Sequence, residues 1–83
     1  MKQQPTASEI AQLICLKCEE FGYWSLAQEL GCSVRQARAM VEADMAMADD
    51  GMFVQVLNRG TEILAERLGT TADNLDAFVD ENF

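Results

Sequence analysis

Eighty-three residues at 9.2 kDa suffice for one small domain and exclude a multi-domain enzyme. Hydrophobic residues make up 49% of the chain and charged ones 24%, with one Pro and five Gly, a composition that folds rather than staying disordered. Fourteen Asp and Glu against six Lys and Arg give a net charge of −8, and histidine, the commonest general base and metal ligand, is absent.

No apolar run approaches the roughly 20 residues of a membrane-spanning helix, and the opening residues lack the apolar stretch of a signal peptide. The expectation is a cytoplasmic protein that contacts no membrane. Three cysteines, all within the first 32 residues, make a poor disulfide framework and are expected to be reduced.

In chain order, Thr6-Ala7-Ser8-Glu9 has the capping-box spacing that starts a helix. Ile10, Leu13, Ile14, Cys18 and Phe21 follow at steps of three and four, which predicts a core-facing stripe on a helix ending near Gly22. Ser25 with Gln28 and Ser33 with Gln36 repeat the capping spacing around Gly31, predicting helices over 25–31 and 34–47. Asp49-Asp50-Gly51 signals a turn, and residues 52–57 read as a short helix or a short strand, with helix preferred. Thr61 precedes Ile63, Leu64 and Leu68, Gly69 stops that segment, and Thr71 opens a last helix carrying Leu75, Phe78 and Val79. The expected class is all-α: a single compact domain over residues 1–83, built from five or six short helices.

Residues 25–41, from Ser25-Leu26-Ala27-Gln28 through Gly31-Cys32-Ser33 to Met40-Val41, resemble the helix-turn-helix family. Ala27 is small where the two helices would touch, Gly31 supplies a positive φ, and Leu26, Leu30, Ala37 and Met40 would point inward. The resemblance places the motif over 25–42 and implies a recognition helix whose exposed positions are Ser33, Val34, Arg35, Gln36, Arg38, Ala39 and Glu42. Units of this shape also serve as structural or protein-binding modules.

The motif echoes at an offset of 38 residues. Gly22, Leu26, Ala27, Leu30, Gly31, Ala39 and Val41 recur as Gly60, Leu64, Ala65, Leu68, Gly69, Ala77 and Val79, so a second such unit is possible at 63–79. Exposed charges change sign between the copies, Arg35 becoming Asp73 and Arg38 becoming Asp76, while Glu42 is matched by Asp80. Residues 1–41 carry four acids and four bases, residues 42–83 ten acids and two bases, so the whole net charge lies in the second half.

DNA binding usually draws on roughly 6 to 10 phosphate contacts, and an acidic chain with so few cations repels a polyanion. The preferred expectation is therefore protein binding: an acidic face of Asp73, Asp76, Asp80 and Glu81 steers the chain to a basic or mixed apolar surface. Tyr23, Trp24, Met45, Met47 and Phe83 are candidate apolar anchors, with a place in the core as the alternative for each. In size, charge and scaffold the chain resembles the small acidic accessory proteins of phages and other mobile elements, which inhibit or regulate a bacterial host protein. The alternative is a dimeric, sequence-specific transcriptional regulator using helix 34–42 against base edges. A homodimer is expected on either reading, because so small a core is marginal alone.

Cys15-Leu16-Lys17-Cys18 is a Cys-x-x-Cys, but with Cys32 it provides only three thiols, short of the four ligands of a structural zinc site. Asp44, Asp49 and Asp50 lack the alternation of a calcium loop. No phosphate-binding glycine loop or nucleophile motif is present, so no cofactor, metal or enzymatic activity is expected.

Overall fold

The structure, a computed structural model, describes residues 4–83. It is all-helical, with four helices in place of the five or six expected: α1 (Ala7–Leu30), α2 (Val34–Ala46), α3 (Gly51–Leu68) and α4 (Ala72–Asn82). Helix α1 opens as its sequence predicts, the Thr6 hydroxyl accepting from the Glu9 amide at 3.1 Å. It then runs straight through Gly22 and Ser25, so neither the stop at Gly22 nor the helix start at Ser25 exists. Residues 52–57 are helical, and Thr61 lies inside α3 rather than before a new helix. Its hydroxyl donates back to the Leu57 carbonyl at 2.7 Å, which satisfies a buried polar group without interrupting the helix.

Both merged junctions have one physical cause. Gly22 and Gly60 are buried within helices, where α1 and α3 press backbone against backbone. A Cβ on Gly22 would collide with the Val56 carbonyl, and one on Gly60 with the Cys18 carbonyl. The pairings 18 with 60 and 22 with 56 mean that the two helices pass in opposite senses. Glycine inside a helix costs about 1 kcal/mol relative to alanine, and here the close approach of two long helices offsets that cost.

The pairings are also related to each other by the 38-residue offset, Cys18 corresponding to Val56 and Gly22 to Gly60. The same relation holds along the chain. Gly31 and Gly69 cap α1 and α3 at φ 68° and 70°, a left-handed conformation that glycine reaches without a Cβ penalty. The Cys32 amide returns to the Ala27 carbonyl at 3.0 Å and the Thr70 amide to the Ala65 carbonyl at 2.9 Å. The Ser33 hydroxyl accepts from the Gln36 amide at 3.1 Å and the Thr71 hydroxyl from the Asn74 amide at 3.2 Å. The guanidinium of Arg67 stacks over Phe21, 4.8 Å from the ring centroid, and their counterparts Glu29 and Arg59 form an ion pair. The fold is thus a pair of two-helix halves, α1–α2 and α3–α4, crossed about an approximate two-fold axis.

Each half has its own small core. In the first, Tyr23, Leu26, Ala27, Ala37, Val41 and Val56 pack together, flanked by Cys32, Met52 and Phe53. In the second, Cys18, Leu64, Ala65 and Leu75 do so, flanked by Ile14 and Phe21. All four residues of the second core have their counterparts, Val56, Leu26, Ala27 and Ala37, in the first. Four inward assignments are corrected: Leu30 and Met40 are 45% and 47% exposed, and Ile10 and Leu13 are exposed as well. Leu30 and its counterpart Leu68 stand at the last position before the glycine cap, where the chain turns away from the crossing and leaves both in solvent.

Candidate acidic groove

The two halves differ where α4 packs on the α1–α3 crossing. There a cavity of about 350 Å³ opens between the three helices. Its floor is Cys18, Thr61 and Leu75, its walls include Ile14, Cys15 and Leu57, and Asp76, Asp80 and Val79 of α4 also line it. Helix α4 positions these carboxylates by its register. Leu75, buried, anchors the helix face, and Asp76 and Asp80, one turn apart, stand beside it with their side chains exposed.

Of the expected acidic face, the structure therefore brings Asp76 and Asp80 together at an apolar opening. Asp73 is exposed in the first turn of α4, where the helix dipole favours a carboxylate, and Glu81 is exposed in the last; neither lines the cavity.

Of the seven residues of the implied recognition helix, three, Ser33, Gln36 and Arg38, are engaged within the chain. Ser33 and Gln36 close a reciprocal capping box, the Gln36 side-chain oxygen accepting from the Ser33 amide at 3.0 Å. The Arg38 guanidinium lies 4.8 Å from the centroid of the Tyr23 ring. Arg35, Ala39 and Glu42 are exposed, and among the described residues Arg35 forms no ion pair or aromatic stack.

The candidate anchors divide. Tyr23 is 4% exposed and belongs to the core, which corrects its assignment as a surface anchor. Trp24 is 46% exposed and, with Glu20, Phe21, Val34 and Arg67, lines a second cleft of about 450 Å³. Met45, Met47 and Phe83 are exposed and line neither opening. Cys15, Leu57 and Thr61 are cavity residues that sequence reasoning missed as a site. Their signal was available in the echo, where small Cys15 and Thr61 stand opposite large Phe53 and Tyr23.

All three cysteines are free thiols, and among the described residues no cluster of side chains is arranged to hold a metal ion. Burial pushes the Cys15 thiol above its ordinary value of 9.0, with Cys18 and Glu19 adding to the rise. Burial raises Cys18 as well, partly countered by the neighbouring Thr61 hydroxyl and reinforced by Asp76. Tyr23 is raised above 10.0, again by burial first, with Arg38 pulling it back and Glu19 and Glu42 adding to it. The thiols lining the cavity are therefore protonated and weakly nucleophilic at neutral pH.

These shifts carry a stability consequence. Each raised group binds its proton more tightly in the folded chain, so its contribution is fully present below the unfolded-state value and lost as pH rises through the folded one. Urea midpoints are expected to be lower at about pH 10.5 than at about pH 7. A midpoint that is unchanged or higher at the alkaline pH would contradict the burial of these three groups.

Among the described residues, no helix is long and apolar enough to cross a membrane. Comparison with known proteins finds no matching family model, no matching curated protein and no matching solved structure.

Proposed function

We propose that the chain acts by binding another protein through the groove between α1, α3 and α4, inhibiting or regulating that partner, a bacterial host protein on the reading of a phage-type accessory factor. The observation that carries this reading is the placement of Asp76 and Asp80 at the mouth of an apolar cavity. Apolar walls supply area to bury, and the carboxylates steer and orient a basic surface. The excess of acids in residues 42–83 extends the same field beyond the groove.

The helix-turn-helix reading of residues 25–42 remains a proposal about shape. Its use on DNA is the weaker branch, because Ser33, Gln36 and Arg38 are held by partners within the chain and Arg35 alone is left as an uncommitted cation on α2.

The test is capture of partners by the tagged chain from bacterial lysate at low salt, with and without nuclease. The expected result is one stoichiometric protein that survives nuclease treatment and dissociates as salt rises. Retention of a defined DNA sequence, lost on Arg35→Ala, would instead establish the transcriptional-regulator reading.

A further inference from the structure

The approximate two-fold axis sets each residue lining the cavity against a counterpart in the other half, and the counterparts are not empty space. Where Thr61 and Cys15 line the open groove, the first half has Tyr23, buried in the core, and Phe53 packed against that core. Where Asp76 stands, the first half has Arg38, its guanidinium stacked 4.8 Å from the centroid of the Tyr23 ring. One half is filled by an aromatic ring with a cation laid over it. The other half has the same helical frame, with Thr61 and Cys15 in place of the larger Tyr23 and Phe53, Leu75 in place of the smaller Ala37, and Asp76 at its rim in place of Arg38.

On the reading that this groove binds protein, we infer that its occupant is a polypeptide segment presenting an aromatic side chain next to an Arg or Lys, so that the partner completes the second half as Tyr23 and Arg38 complete the first. The aromatic ring enters between Cys15, Thr61 and Leu75, taking the room that Tyr23 and Phe53 take on the other side. The cation lies at the mouth, paired with Asp76 and Asp80. The charge reversal from Arg38 to Asp76 separates this from a leftover void: an arginine in the chain completes the filled half, and a carboxylate in the open half accepts a cation from outside. A second copy of this chain fits poorly, since its net charge of −8 opposes approach to an acidic rim.

Two measurements test the assignment on the full chain. In the first, N-acetyl-tyrosyl-arginine amide and its tyrosyl-glutamate analogue are titrated while backbone amide resonances are followed by NMR. The arginine peptide is expected to shift Leu57, Thr61, Leu75 and Asp76 saturably in the millimolar range, and the glutamate peptide to bind at least about tenfold more weakly, a difference of about 1.4 kcal/mol. Asp76→Asn is expected to remove most of that preference. Equal shifts from both peptides, or no saturable shifts at these residues, overturn the inference.

In the second, the open half is rebuilt as the filled one by Cys15→Phe, Thr61→Tyr, Leu75→Ala and Asp76→Arg together. The rebuilt chain is expected to melt about 4 to 8 °C higher than the native chain and to lose the peptide response. A rebuilt chain that melts lower, or that still binds, overturns the equivalence of the two halves. A partner protein captured equally well by native and rebuilt chains would sink this inference while leaving protein binding intact. If the native chain captures no protein from nuclease-treated lysate, the underlying reading fails.

Discussion

Gly60→Ala is expected to destabilise the chain by about 2 to 4 kcal/mol, and Gly22→Ala by a similar amount. Each new methyl group would fall onto a backbone carbonyl of the opposing helix, Cys18 in one case and Val56 in the other. Carbonyls of packed helices cannot rotate away as a flexible side chain can. The helices must move apart, loosening both small cores, because α1 and α3 contribute to each. Alanine recovers about 1 kcal/mol of helix propensity, too little to compensate. Against a total stability of roughly 5 to 10 kcal/mol for a domain of this size, the double variant is expected to be largely unfolded. Gly51→Ala is the control, since a Cβ there meets only the Asp49 side chain, 3.2 Å away and exposed. Urea denaturation followed by circular dichroism distinguishes the three. Near-neutral effects at Gly22 and Gly60 would show that the crossing is not close.

These glycines also explain what the sequence conveyed and what it hid. The capping signals at Thr6, Ser33 and Thr71 and the left-handed caps at Gly31 and Gly69 were all legible, because a helix end is decided by residues within one turn of it. Ser25 with Gln28 has the same spacing as the true caps, yet it lies inside α1. Whether a glycine ends a helix or admits a neighbouring backbone depends on a residue far along the chain, Val56 for Gly22 and Cys18 for Gly60. No local pattern contains that information. The 38-residue echo did contain it in part, since both glycines recur at matching places.

The second large effect concerns binding. Replacing Asp76 and Asp80 together with Asn is expected to weaken capture of the partner protein by at least about tenfold, or 1.4 kcal/mol, and to reduce its salt sensitivity. Both side chains are exposed and neither pairs with a cation among the described residues, so their loss should leave folding nearly unchanged. Asp73→Asn, outside the groove, should have a small effect confined to steering. The matching variant on the other face is Arg35→Ala rather than Arg38→Ala. Removing Arg38 also removes its stack on Tyr23, worth about 0.5 to 1 kcal/mol, and would confuse stability with binding. Partner capture that survives loss of both carboxylates but fails with Arg35→Ala would reverse the assignment of faces.

The acidic stripe was legible because α4 has a regular apolar face, with Leu75, Phe78 and Val79 setting its register. The cavity beside it was not legible. It depends on Thr61 standing within α3 and on Cys15 facing the same space from α1, a juxtaposition created by the crossing. Whether Tyr23 is core or a surface anchor was hidden for the same reason. Its neighbour Trp24 is exposed, and only the position of α2 over the ring, with Arg38 laid on it, places Tyr23 in the core.

The central claim is that the partner protein occupies the groove between α1, α3 and α4. Amide hydrogen exchange on the chain alone and in complex with the protein captured from nuclease-treated lysate tests it most directly. The account predicts slowed exchange in α4 and in the Leu57–Thr61 stretch of α3, with α2 unchanged. Slowed exchange confined to α2 around Arg35 and Ala39, with α4 unaffected, would contradict it.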